Sequence, residues 1–353
     1  MKSSQIRVGV CSYGYSTKVF HAPFISALPE YFDLRAFVER HKSDSKELFP
    51  NARVFRSCEE MFADNDIDLV IINTPSPTHF DYALKALNAG KHVVIDKPFT
   101  ATTKEAETLI RLAESKNLKI TVFHNRRWEG ELIALKQVVS QNLLGKLIDC
   151  EFRFERFRNA LNPKKHKEEP LLGNGLVYEL CTHLIDQSLF LFGMPHAVYA
   201  EISKIRENSQ IDDYVCITLY YDNNFKVLLK SSLLVADIGP SYILNGHTGS
   251  FVKYKANIQE EQSSAGMLPT NPEYGKENSN TAARVTTLQP DGSLKTETYV
   301  SPVSSYIEYY RQLGNALKNG TSPPIAPEDA LKGLIIIEAA YKSSKEGVKC
   351  SLV

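Results

Sequence analysis

The sequence predicts an α/β protein of two domains: a doubly wound parallel sheet over 1–123, then an α+β domain with a mainly antiparallel open sheet over 124–353. Three observations predict it. Short apolar runs alternate with amphipathic stretches through the first third, which is the rhythm of βαβ units. Near Trp128 that rhythm gives way to long runs of alternating apolar and polar residues. At 353 residues and 43% hydrophobic, the chain can bury two cores.

In the first domain, 6–10 reads as strand one, and 34–38, 68–72 and 92–95 as the next three. A short helix is expected near 59–63. Residues 78–89 form a helix with Ala83, Leu84 and Leu87 at helical spacing and Gly90 as its stop. Helix 103–116 opens at Thr103, Ala106 and Glu107, close to a capping box, and strand 119–123 completes the domain.

In the second domain, helix 131–141 ends near Gly145. Strands at 147–156, 197–205, 214–221, 226–234, 242–245 and 250–254 alternate as antiparallel strands do, interrupted by a helix at 175–192. Residues 260–280 are polar and rich in Gly, Pro, Ser and Asn, so a long surface loop is expected. Residues 305–318 and 327–344 read as closing helices, the second expected to pack back on the first domain. Residues 350–353 read as the end of a last strand rather than a prenylation box.

Composition narrows the function. Lys plus Arg and Asp plus Glu are equal at 41 each, so no net field favours nucleic acid or an anionic membrane, and a small neutral ligand fits best. Cysteines 11, 58, 150, 181, 216 and 350 form no CxxC pair, and no His cluster has ligand spacing. Reduced thiols in a cytoplasmic protein without a metal site are expected. No apolar run approaches a membrane span, and residues 2–5 lead into the first strand without a signal-type segment.

The turn Ser12-Tyr13-Gly14-Tyr15-Ser16-Thr17 follows strand one and precedes a helical segment, the position of a dinucleotide fingerprint in a Rossmann domain. A tight turn there lets phosphate oxygens reach backbone N–H groups at a helix N-terminus. Only the second glycine, Gly14, is present; Ser12 and Thr17 occupy the other two places. After strand two, Glu39 could accept from a ribose 2′-hydroxyl and favour NAD, whereas Arg40 and Lys42 could clamp a 2′-phosphate and favour NADP; both options stay open. Asn73-Thr74-Pro75 with His79 forms a turn that could lie along the nicotinamide ribose.

Asp96-Lys97-Pro98 closes the fourth strand, and ligands of open α/β sheets bind outside the carboxyl ends of strands. An ammonium there acts at close range. In helix 175–192, Glu179, His183, Asp186 and Gln187 share one polar face. An unperturbed imidazole titrates near neutral pH, which suits His183 to a general acid–base role.

Together these residues resemble the glucose–fructose oxidoreductase / inositol dehydrogenase (Gfo/Idh/MocA) family. The carriers are Asn73-Thr74-Pro75 with His79, Ala89 through Pro98, and Glu179-x-x-x-His183. Phe20-His21-Ala22-Pro23, His124 through Trp128 and His183 through Gln187 are similar to a subgroup of NADP-dependent scyllo-inositol dehydrogenases. The resemblance implies hydride transfer between NADP or NAD and a hydroxyl-bearing carbon of a sugar, polyol or cyclitol. It implies catalytic roles for Lys97, His183 and Glu179, where Glu179 stands in place of the family Asp. It also implies cofactor contacts from Ser12, Gly14, Tyr15, Glu39, Arg40, Thr74, Pro75, His79 and Lys97. Substrate contacts are expected from Asn125, Arg127, Trp128 and Asp186, and a homodimer or larger homo-oligomer through the open sheet. The alternative is a dinucleotide- or sugar-sensing regulator of the same fold; a third reading is reduction of an unsaturated or cyclic non-sugar substrate.

Overall fold

Six parallel strands build the first sheet of the computed structural model, which describes residues 5–254 and 257–352. They are β1 (Ile6–Val10), β2 (Phe32–Val38), β3 (Arg53–Phe55), β4 (Leu69–Ile72), β5 (His92–Asp96) and β6 (Ile120–Phe123), in the order β3-β2-β1-β4-β5-β6. The order reverses between β1 and β4, which opens a crevice outside their carboxyl ends. β4 and the centre of β5 are buried on both faces, so they read as continuous apolar runs. β3 was absent from the expected set: three half-buried residues at a sheet edge carry no periodic signal. The capping box lies one residue earlier than expected. Thr102 accepts from the Glu105 N–H at 3.2 Å, and the Glu105 carboxylate accepts from the Thr102 N–H at 3.1 Å.

Nine strands build the second sheet: β7 (Leu147–Arg153), β8 (Ala197–Ser203), β9 (Tyr214–Tyr220), β10 (Lys226–Ser232), β11 (Tyr242–Gly246), β12 (Gly249–Lys253), β13 (Ala283–Leu288), β14 (Leu294–Tyr299) and β15 (Cys350–Ser351). Their order is β14-β13-β12-β11-β7-β10-β9-β8-β15, antiparallel throughout except for β7 beside β10. On β9, Val215, Ile217 and Leu219 are buried while Tyr214, Cys216, Thr218 and Tyr220 face out, so only one face of this sheet is covered. The hairpin β13–β14 was missed because β14 is exposed along nearly its whole length and shows no apolar alternation.

The chain divides into two compact units, and not at a single cut between 123 and 124. The first unit runs through Trp128, then takes back Gln259–Tyr274 and Ser305–Leu331; the rest forms the second. Helix Ile307–Asn319 explains the return: Tyr306, Tyr309, Tyr310 and Leu313 fall on one helical face and complete an aromatic core with Phe24, Phe32, Phe37 and Phe123. Helix Pro327–Glu346, expected to pack on the first domain, belongs to the second unit from Lys332 on. There the Ser343 hydroxyl accepts from the β8 N–H of Ala200 at 3.0 Å. The expected loop 260–280 contains the end of a helix, Ile258–Ser264.

Among the described residues, no helix is long and apolar enough to cross a membrane, and no cluster of His, Cys, Asp or Glu could hold a metal ion. The six cysteines are free thiols.

Candidate active site

The turn after β1 shows why the two missing glycines are tolerated. Thr17 is fully buried; its hydroxyl donates to the Ser12 carbonyl at 2.7 Å and accepts from Asn73 Nδ2 at 2.7 Å. A glycine there could not stitch the β1 turn to the β4 turn. At Gly14 an added Cβ would meet nothing nearer than Ser12 Oγ at 3.9 Å, so the space over the turn is open. Asn73 Oδ1 is buried with no hydrogen-bond partner in the protein. An open cradle beside an unsatisfied buried acceptor fits a bound dinucleotide, which would offer both phosphate oxygens and ribose hydroxyls.

At the end of β2 the carboxylate and the basic residues differ in their surroundings. The Glu39 carboxylate is buried and accepts from the Asp44 N–H at 2.8 Å, the Ser45 N–H at 3.1 Å and the Ser45 hydroxyl. Arg56 donates to the Glu39 carbonyl at 2.8 Å and to that of Lys42. Glu39 therefore shapes its own loop, while Arg40, His41 and Lys42 are exposed.

His79 is buried, with Nδ1 2.8 Å from the Pro98 carbonyl and Nε2 2.9 Å from that of Thr74. Burial outweighs its favourable partners and pushes the imidazole below its ordinary pKa. A neutral ring has one N–H, so only one of these carbonyls receives a hydrogen bond. His79 braces the turns after β4 and β5 from behind.

β5 ends on Asp96, with Lys97 half-buried and joined to Pro98 by a cis peptide. Asp96 accepts from the Ser16 hydroxyl at 2.7 Å and from His21 Nε2 at 3.0 Å; His21 Nδ1 in turn faces the Tyr310 hydroxyl at 2.5 Å. Burial pushes the Asp96 carboxyl up, but the His21 imidazole and Ser16 hydroxyl outweigh it and hold it below the usual range. This buried chain fixes the strand end that carries Lys97 to the helical turn Thr17–His21.

After β6 comes the turn Asn125–Trp128. Asn125 is buried, Arg127 pairs with Asp329 at 3.5 Å, and the Trp128 ring packs edge-on against Tyr309 at 5.4 Å.

In the second unit a π-helical turn, Val177–Cys181, runs into helix Thr182–Phe192. Its start is clamped by Asp212, which accepts from the Val177 N–H at 2.9 Å and the Tyr341 hydroxyl at 2.8 Å. Gly175 has φ +96°, and a Cβ there would lie 2.2 Å from Asp212 Oδ1. Burial raises the Asp212 carboxyl above its ordinary value. Glu179 is half-exposed and pairs with Lys167 at 3.3 Å. His183 and Asp186 are buried, the His183 ring 6.3 Å from that of Phe154, and Gln187 donates to the Tyr242 hydroxyl at 3.1 Å.

The whole of this architecture matches known proteins. A family model described as an oxidoreductase family with an NAD-binding Rossmann fold matches residues 6–124, and its C-terminal α/β partner matches 136–352. The chain belongs to the Gfo/Idh/MocA family. It is 36% identical to scyllo-inositol 2-dehydrogenase (NADP(+)) of Bacillus subtilis, over 98% of this chain and 95% of that protein. It is 36% identical to an uncharacterized oxidoreductase of Schizosaccharomyces pombe, over 98% and 99%. A solved Bacillus subtilis oxidoreductase, yvaA, superposes with a TM-score of 0.93 at 35% identity, covering 99% of both chains.

Within this Gfo/Idh/MocA oxidoreductase, Ser12, Gly14, Tyr15, Thr74, Pro75 and Lys97 stand on the turns that end β1, β4 and β5 in the first unit. Glu39 and His79 sit in the same unit but are committed to carbonyls and loop N–H groups. Glu179, His183 and Asp186 share one helix of the second unit. Sequence reasoning gave no role to His21, Tyr310 or Asp212. His21 carried a signal as part of Phe20-His21-Ala22-Pro23; Tyr310 and Asp212 are remote in sequence from the groups they touch and carried none.

Proposed function

We propose that this oxidoreductase transfers hydride between NADP(H) and a hydroxyl-bearing carbon of an inositol-like cyclitol or related sugar. The observation that carries this reading is full-length similarity to a scyllo-inositol 2-dehydrogenase (NADP(+)), joined to the presence of both Lys97 and the Glu179/His183 pair. Preference for NADP rests on the second strand end: Glu39 accepts hydrogen bonds within its own loop, and the exposed Arg40 and Lys42, the latter 3.6 Å from Asp44, offer cations to a 2′-phosphate.

The bound nicotinamide would accept the hydride from the alcohol carbon. His183 takes the hydroxyl proton as the C–H bond breaks, and returns it in the reverse direction. Lys97 supplies an ammonium that stabilises negative charge developing on a substrate oxygen. Glu179 favours the imidazolium that forms, at a strength moderated by its ion pair with Lys167. Asn125, Arg127, Trp128 and Asp186 remain our assignments for the substrate hydroxyls and ring, Trp128 offering only the face that Tyr309 leaves uncovered. We also assign the enzyme to a reducing, cytoplasmic setting, which its free thiols suit, and to a homo-oligomer through the uncovered face of the nine-stranded sheet.

The relatives found are named oxidoreductases and dehydrogenases, which favours an enzyme over a regulator. Replacing Lys97 with Met tests the assignment. Turnover should fall by roughly a hundredfold or more while NADPH still binds; full turnover in Lys97→Met would remove Lys97 from the chemistry.

A further inference from the structure

We propose that Glu260 is a positioning residue that latches the cofactor turn and sets how fast the dinucleotide leaves. The proposal rests on reading the first unit as an NADP(H) domain. Tyr15 is the residue after Gly14 in the cofactor turn, and it is 54% exposed. It is nevertheless tied down. Its hydroxyl donates to Glu260 Oε1 at 3.3 Å and lies 2.9 Å from Ser264 Oγ, while its ring meets Phe20 edge-on at 5.9 Å. The other oxygen of Glu260 accepts from Arg126 at 3.1 Å, where the two side chains are only 10% and 19% exposed.

One carboxylate therefore joins the turn after β1 to the turn after β6, on opposite sides of the strand-order reversal. It does so from a segment far along the chain. Helix Ile258–Ser264 is itself rooted in the first unit. Gln259 donates to the Trp128 carbonyl at 2.7 Å and accepts from the Tyr306 N–H at 2.7 Å, and the Tyr274 hydroxyl donates to the Gln259 carbonyl at 3.2 Å. A rooted helix that reaches out to an exposed tyrosine on the phosphate turn acts as a latch. Arg126 also neutralises Glu260, so the latch presents little net negative charge to an incoming diphosphate.

A purely structural role for Glu260 would show as lost stability, with cofactor kinetics unchanged. A latch shows in the release rate. NADPH release is measured by stopped-flow displacement, following nicotinamide fluorescence, for wild type, Tyr15→Phe, Glu260→Ala and the double variant. Tyr15→Phe keeps the ring and removes only the hydroxyl. Each single variant should raise the release rate roughly five- to tenfold, with the association rate nearly unchanged. The double variant should release no faster than the more affected single, because both break one latch. Unchanged release in both singles, or effects that multiply in the double variant, would overturn the proposal. Failure of wild type to bind NADPH would instead refute the cofactor reading on which it rests.

Discussion

Replacing Tyr310 with Phe removes one oxygen from the centre of the first unit and leaves its packing intact. The Tyr310 hydroxyl faces His21 Nδ1, while His21 Nε2 must carry the proton that reaches Asp96. With the hydroxyl gone, His21 Nδ1 is a fully buried polar atom facing a hydrocarbon ring instead of its present partner. A lost hydrogen bond costs about 1 kcal/mol and a stranded buried polar atom about 1–3 kcal/mol more, with no cavity term because the ring is retained. A loss of about 2–4 kcal/mol follows, which in a unit of this size lowers the melting temperature by roughly 4–16 °C. Differential scanning calorimetry at neutral pH, with and without saturating NADPH, measures it. A shift of less than about one degree would mean that the Tyr310–His21–Asp96 chain does not form as described.

Two further perturbations probe the cofactor face. Replacing Arg40 and Lys42 together with Ser should weaken NADPH binding by roughly ten- to a hundredfold and leave NADH binding within about twofold. Equal loss for both cofactors, by fluorescence titration, would place the 2′-phosphate elsewhere. The buried His79 gives a pH signature. Its folded pKa lies below the ordinary value of 6.5, so the unfolded chain binds the extra proton first as pH falls. Its contribution to stability is present above pH 6.5 and is lost progressively as pH drops toward the folded value. His79→Gln should flatten that part of the profile in urea titrations; an unchanged slope would assign it to other groups, such as the partly buried His92, which is also held below its ordinary value.

What could be read in advance followed from periodicity and local spacing. β4 and the centre of β5 are continuous apolar runs, and Gly14 and Asp96-Lys97-Pro98 fall where the sheet must present ligand groups. β3 and β14 escaped because edge strands bury too little to leave a pattern. The route of the chain escaped for another reason. Tyr306, Tyr309 and Tyr310 are as amphipathic as any helix face, and only tertiary packing says which core receives them. At the site, the sequence placed a carboxylate, Glu39, at the end of β2, but its hydrogen bonds from the Asp44 and Ser45 N–H groups depend on a tight turn that its neighbours build. Thr17 stands at a glycine place of the fingerprint, and which groups its hydroxyl would join, the Ser12 carbonyl and the Asn73 amide, is set by the fold.

The most direct test of the central claim is the oxidation of scyllo-inositol by the wild-type enzyme with NADP, followed by the absorbance of the NADPH formed. The account predicts NADPH formation that saturates with inositol and is far slower with NAD. Tight NADPH binding with no turnover of scyllo-inositol, other inositols or sugars would contradict it and return the protein to the regulator reading.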